Sequence, residues 1–279
     1  MSFRNALLLF SITMLGFCMT LYFQSENSFR SINIEQYKNL QYNEARSHPL
    51  EEFNQKIAPL RLEDVLHDLY EKNKLAGVKT RVMEIGFGNG RVLIELKKKF
   101  PLVEFYGINK EKTHTFYRRE SFILTALKFN IMNKDEAEDM TLPFVVFQDL
   151  DFGRSIPYDE NKFDLIFSQS TIPHIRYTFE MFNEILRVLK QGGISLHSDV
   201  TGVNIFSKST LLSLTEAANE MRKRGLEINV LDNPTSLRFI KTSTQKNFPV
   251  TPHQPIPVQT ESLSSELRRP EMSYNLNNE

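Results

Sequence analysis

The stretch Glu84–Gly90, EIGFGNG, sets three glycines at alternate positions directly behind the hydrophobic run RVMEI. Glycines so placed let the backbone turn, and approach a ligand, in ways a Cβ forbids. Two large cofactor classes use such a loop, and their spacings differ. A dinucleotide-binding fingerprint reads G-x-G-x-x-G, its last glycine admitting close contact between helix and strand. Here Gly86, Gly88 and Gly90 are followed by Arg91 where that last glycine belongs. The bulky side chain disfavours NAD or FAD. A phosphate-cradling P-loop is excluded as well, because no Gly-Lys-Ser/Thr follows.

The flanking segments alternate in period. Upstream, Leu62, Val65, Leu66 and Leu69 recur at helical spacing in LRLEDVLHDLYEKNKLAG, and Gly77 supplies a stop. Downstream come the helix RVLIELKKKF, the strand VEFYGI, a long helical region around TFYRRESFILTALKFNIM, and the strands PFVVFQD and FDLIFSQ. The helix TFEMFNEILRVLKQ, the strand GISLHSD, the helix STLLSLTEAANEMRKRG and the two short strands LEINVL and SLRFIK complete the pattern. Alternation of this kind predicts an α/β fold with a doubly wound, mostly parallel sheet and an antiparallel last strand.

Length and composition agree with one catalytic-sized domain carrying tails. The chain has 279 residues, 41% of them hydrophobic and 24% charged, with 34 basic residues against 34 acidic ones. That balance leaves no electrostatic footprint for nucleic acid, and none is expected as a partner. The single cysteine, Cys18, excludes an intramolecular disulfide framework and a cysteine-based zinc cluster, and no metal site is expected. The uncharged run Ala6–Phe23, ALLLFSITMLGFCMTLYF, is near the lower length limit for a membrane-spanning helix and is read as a transmembrane signal anchor. Residues 24–59 are polar with no clear period and read as a stalk, residues 60–243 as the folded domain, and residues 244–279 as a disordered tail rich in Pro, Ser, Asn and Gln.

Beyond the glycine loop, four further segments fall in a fixed order: YGINKE at the second strand, FQDL at the third, KFDLIFSQ at the fourth, and ILRVLKQGGISL leading into the fifth. Together with EIGFGNG, this ordered set resembles the class I S-adenosylmethionine-dependent methyltransferases, over roughly Leu60–Lys241. The resemblance implies a Rossmann-like methyltransferase domain that binds S-adenosyl-L-methionine. It also implies roles for residues at the matching positions. Gly86, Gly88 and Gly90 let the backbone pass the methionine part of the cofactor, and Glu84 reaches its ammonium. The turn containing Phe87 and Asn89 offers amides to its carboxylate. Asp149 accepts from the adenine amino group, the Leu150 amide donates to a ring nitrogen, and Ser168 stands at the end of the fourth strand. One position departs from the family: Asn109 occupies the place of the acidic residue that accepts from the ribose hydroxyls, so either Asn109 or Glu111 takes that role.

The acceptor side is less determined. SQSTIPHI stands where enzymes that methylate nucleobase or glutamine amino groups carry Asn/Asp-Pro-Pro-Tyr/Phe. His174 is the candidate base or substrate ligand, with capping of the next helix as the alternative; Arg176 and Tyr177 are secondary contacts, and His197 reads as structural. A small-molecule or lipid-like methyl acceptor is expected. The cofactor is made in the cytoplasm, so the domain of a single-pass membrane protein is expected on that side. A non-enzymatic methyltransferase-like binding or scaffolding module is the alternative that Asn109 keeps open.

Overall fold

The computed structural model of the protein describes residues 47–109, 119–147, 156–175, 178–200, 203–205, 210–212, 214–223, 227–231 and 235–242. Two helices, α1 (Leu50–Lys56) and α2 (Leu62–Leu75), precede β1 (Arg81–Ile85). Then follow α3 (Arg91–Lys99), β2 (Glu104–Asn109), α4 (Arg119–Lys128), α5 (Lys134–Asp139), β3 (Phe144–Phe147) and β4 (Phe163–Gln169). The remainder is α6 (Thr178–Val188), β5 (Leu189–Ser198), β6 (Val203–Ile205), β7 (Thr210–Leu212), α7 (Leu214–Lys223), β8 (Glu227–Val230) and β9 (Leu237–Ile240).

Seven strands form one sheet in the order β3-β2-β1-β4-β5-β9-β8. The five strands from β3 to β5 are parallel, while β9 runs antiparallel to both β5 and β8. The order reverses direction between β1 and β4, and in open α/β sheets the crevice outside the carboxyl ends at such a point is where ligands bind. Apolar clusters cover both faces: Val82, Leu165 and Phe167 pack with residues of α1 to α5, while Met83, Ile85 and Ile166 pack with α6 and Ala218 of α7. Every residue of β4 is buried, as expected of a central parallel strand covered on both faces.

Several polar side chains fasten the framework. Asp164, in the segment FDLI, is a strut at the sheet's amino edge: its carboxylate accepts from Arg81 N at 2.8 Å and from Lys190 Nζ at 2.8 Å. Asn54 of α1 caps α2 from outside it, since its Oδ1 accepts from Leu62 N at 2.8 Å and so satisfies an otherwise orphaned helix donor. Lys97 lies buried along α3 and snorkels its ammonium to the carbonyls of Pro101 and Val103.

Three elements differ from the sequence expectation. Helix α1 lies within the stretch read as stalk; Leu50, Phe53 and Ile57 turn one face into the core, and Phe53 sits 5.5 Å from the Phe167 ring. The helix before β5 ends at Val188 and the strand begins at once, so Lys190 and Gln191 extend β5. Thr210–Leu212, expected as the start of a helix, instead pairs antiparallel with Val203–Ile205 in a separate two-stranded sheet. Its β-branched and aliphatic residues satisfy either period over so short a run. Among the described residues no helix is long and apolar enough to cross a membrane; the run Ala6–Phe23 lies outside them, as do the tail from 243 and the third strand's Asp149 and Leu150.

Candidate active site

Three left-handed glycines make the floor of the site. Gly86, Gly88 and Gly90 have φ of 74°, 53° and 74°, a region where an L-residue's Cβ meets its own carbonyl. The space is closed too. A Cβ on Gly86 would lie 2.0 Å from Thr171 Oγ1, and one on Gly90 would lie 2.4 Å from the Phe122 ring. Gly90 is also the residue from which α3 starts, its carbonyl accepting from Ile94 N at 3.0 Å.

Glu84, one turn of the pleat before Gly86, shares its sheet face with Val82 and is 4% exposed. Its Oε2 finds no hydrogen-bond partner among the described residues, and burial alone raises its carboxyl pKa well above the usual range. An unpaired buried carboxyl is costly to keep. That oxygen would accept from a cationic N–H donor on a bound ligand.

The structure also places the other expected residues. Phe87 turns its ring into the core, stacked on Phe122 and filling the space over Gly107, so its backbone alone faces the loop. Asn109 sits at the end of β2 and donates from Nδ2 to the Gly88 carbonyl at 3.4 Å. A carboxylate has no proton to donate there, which explains an amide where the resemblance led to an acid. Ser168, expected beside the cofactor, lies fully buried at the end of β4 with its hydroxyl 2.7 Å from His197 Nδ1. His197 bridges Ser168 and Ser195 by both ring nitrogens, and burial pushes its pKa down to about 3. His174 ends a short 3-10 turn, Ile172–His174, at the exposed rim just beyond Thr171. Asp149, Leu150, Glu111, Arg176 and Tyr177 lie outside the described residues.

Residues not anticipated complete the picture. Helix α1 and Ser47 clasp the glycine loop and its helix: Asn89 Nδ2 donates to Ser47 Oγ at 2.8 Å, and Leu50 N donates to Glu95 Oε2 at 2.7 Å. Arg91 lies 4.0 Å over the Phe129 ring and donates to Glu95 at 2.8 Å. It occupies as a packing group the place a dinucleotide loop leaves empty. On its other side α1 reaches the ends of β4 and β5, where Glu52 meets Gln169 and Lys56 meets Asp199. The signal was present in LEEFNQKI, whose Leu50, Phe53 and Ile57 fall at helical spacing with Glu52 and Lys56 four apart.

A doubly wound sheet, a glycine cradle at its switch point and a buried carboxyl beside it are the features of a Rossmann-like domain that binds a nucleoside cofactor. The site fits S-adenosylmethionine, because the buried Glu84 Oε2 would accept from an amino-acid ammonium and the glycine loop opening α3 would donate backbone amides to its carboxylate. Residues 77–249 match the model of the methyltransferase domain family; the chain belongs to that family and is an S-adenosylmethionine-dependent methyltransferase. It is 27% identical over 215 residues to a tRNA (guanine-N(7)-)-methyltransferase of Mycoplasmopsis pulmonis, covering 69% of this chain and 98% of the relative. Among solved structures, an S-adenosylmethionine-dependent methyltransferase from Aquifex aeolicus aligns with a TM-score of 0.38 at 18% identity, over 69% of this chain and 97% of that one. PKMT2 from Rickettsia typhi in complex with AdoHcy aligns with a TM-score of 0.32 at 16% identity, over 43% of this chain and 20% of that one.

Proposed function

We propose that the protein methylates a small-molecule or lipid-like acceptor at a membrane, with the run Ala6–Phe23 as a single-pass anchor and the catalytic domain on the cytoplasmic side. The observation that carries the cofactor end of this reading is the unpaired, buried carboxyl of Glu84 beside three left-handed glycines. Glu84 would hold the cofactor's ammonium, the backbone of Gly86 to Gly90 its carboxylate at the start of α3, Asn109 its ribose, and Asp149 with Leu150 its adenine. When bound, S-adenosylmethionine supplies an electrophilic methyl on a sulfonium. The chain's own contribution is to orient that group and exclude water from it; Thr171 and α1 wall the cradle, and His174, exposed three residues beyond Thr171, would take a proton from an acceptor.

The anchor reading rests on about eighteen uncharged residues, enough for a short span. Carbonate extraction and protease protection of membrane vesicles test it together with its orientation. Extraction with the peripheral proteins, or digestion of the domain by protease on the non-cytoplasmic side, would contradict it. The relative named for tRNA guanine methylation favours a second reading, an RNA acceptor. The neutral charge balance weighs against it. Methyl transfer from labelled cofactor to total tRNA, compared with transfer to a lipid extract, separates the two.

A further inference from the structure

Where β4 and β5 end, the chain makes two left-handed turns without glycine. Ser170 has φ 52° and Asp199 has φ 57°. The two are joined, Ser170 Oγ donating to Asp199 Oδ2 at 2.5 Å and Ser170 N to the Ser198 carbonyl at 3.3 Å. Lys56 of α1 bridges Asp199 Oδ2 at 2.8 Å and Glu52 Oε1 at 2.6 Å. Glu52 in turn accepts from Gln169 Nε2 at 3.1 Å and lies 3.0 Å from His48 Nδ1. Thr171, the residue after Ser170, abuts Gly86. The network therefore borders the cofactor cradle.

One member of the network is unsatisfied. Gln169 is 6% exposed, and its Oε1 has no hydrogen-bond partner among the described residues. Its orientation is fixed by chemistry, because only the Nε2 end can face the Glu52 carboxylate. A buried carbonyl oxygen left in this way asks for an N–H or O–H donor. The charges point the same way: among the described residues Lys56 is the one cation against Asp199, and it is shared with Glu52, which the His48 imidazole also meets. Despite partial burial, hydrogen bonds from Lys56 and His48 hold the Glu52 pKa below its usual value, and those from Lys56 and Ser170 do the same for Asp199. The Asp199 side chain is 28% exposed, so a ligand can reach it.

We propose that this network is the acceptor end of the site and that it recognises an amine, which enters at the exposed Asp199 carboxylate, donates N–H groups to it and to the inner Gln169 Oε1, and offsets the surplus carboxylate as the ammonium. For transfer the ammonium gives one proton to solvent; its nitrogen then forms the N–CH3 bond as the sulfonium S–CH3 bond breaks, and S-adenosylhomocysteine leaves. Anionic head groups are disfavoured by the same surplus. The proposal rests on the methyl-transfer reading of the adjacent cradle and narrows its acceptor.

The test titrates the full chain, loaded with S-adenosylhomocysteine, with ethylamine, acetate and guanosine as probes, and follows methyl transfer from S-adenosylmethionine to longer alkylamines. Ethylamine is expected to bind in the millimolar range, acetate and guanosine not. Asp199→Asn and the shape-conserving Gln169→Met should each raise the alkylamine KM by tenfold or more, with S-adenosylhomocysteine affinity within twofold of the parent. Gln169→Met loses only the Glu52 contact inside the fold, so it remains informative if Asp199→Asn unfolds. Preferential binding of acetate or guanosine, absence of binding by every probe, or an alkylamine KM unmoved in a folded, cofactor-binding Gln169→Met variant would overturn the proposal. Failure to bind S-adenosylhomocysteine at all would instead overturn the reading of the cradle.

Discussion

Thr171 closes directly on Gly86: its Oγ1 stands 2.0 Å from where a Cβ on the glycine would be. Two strand ends, β1 and β4, thus meet with no room between them for a methyl group. That contact makes the glycine loop a rigid cradle, and it joins the cofactor side of the site to the acceptor side.

Gly86→Ala should both strain the backbone and push on Thr171, costing upward of about 2 kcal/mol and removing cofactor binding. Gly77 provides the control, since it also has positive φ, 67°, yet a Cβ there meets nothing within 4 Å. Gly77→Ala should cost roughly 1–2 kcal/mol and leave binding unchanged. Thermal unfolding and cofactor titration of the two variants check this; equal losses of binding would refute a local cradle.

Glu84 predicts a pH signature. Burial raises its folded pKa well above the unfolded value of 4.5, so the folded chain holds a proton that the unfolded chain releases. Its contribution to stability is fully present below pH 4.5 and is lost as pH rises through the folded pKa. Glu84→Gln should remove that decline and leave the unliganded protein more stable at neutral pH while weakening cofactor binding. Binding of S-adenosylmethionine to the parent, at a pH below the raised pKa of the free carboxyl, should release a proton as the carboxyl ionises against the ammonium. Calorimetry in buffers of differing ionisation enthalpy measures the release, and a buffer-independent enthalpy would contradict it.

His197 carries the opposite dependence. Burial lowers its folded pKa from 6.5 to about 3, so protons favour the unfolded chain as pH falls from 6.5 toward 3. His197→Leu should abolish that acid sensitivity. It should also cost about 1–3 kcal/mol, by stranding the hydroxyls of Ser168 and Ser195. Denaturant unfolding between pH 4 and 7 tests both effects; the pH profile of turnover should not move, because the imidazole faces the core rather than the cradle.

Phe53 anchors α1, fully buried against Phe167. Phe53→Ala should cost about 3–5 kcal/mol and loosen the clasp on Asn89 and Glu95. Hydrogen exchange at the amides of α3 reports the loosening. Unchanged protection there would mean that α1 covers the loop without supporting it.

Much of this was legible in the residues. Alternating helical and β-rich segments around EIGFGNG indicated β1 to β5, and Gly77, read as a stop, lies just past the end of α2 with φ 67°. Helix α1 escaped because it is only seven residues long and its neighbours Arg46 to Pro49 and Ala58 to Leu60 lack any period, so its brief helical spacing did not stand out from the polar stretch around it. At the candidate site, the left-handed turns of Gly86, Gly88 and Gly90 were readable from their spacing. The bond from Asn109 to Gly88 was not, since it joins residues 21 apart in sequence, and neither was the Lys56 bridge to Asp199, which spans 143. Such contacts exist only once the sheet has assembled.

The most direct test of the account is calorimetric titration of the full chain with S-adenosylmethionine and S-adenosylhomocysteine, beside Glu84→Gln and Gly88→Arg. The account predicts micromolar binding of both ligands by the parent, at least tenfold weaker binding by Glu84→Gln, and none by Gly88→Arg, with each variant folded. Binding that survives intact in both variants, or a folded parent that binds neither ligand, would contradict it.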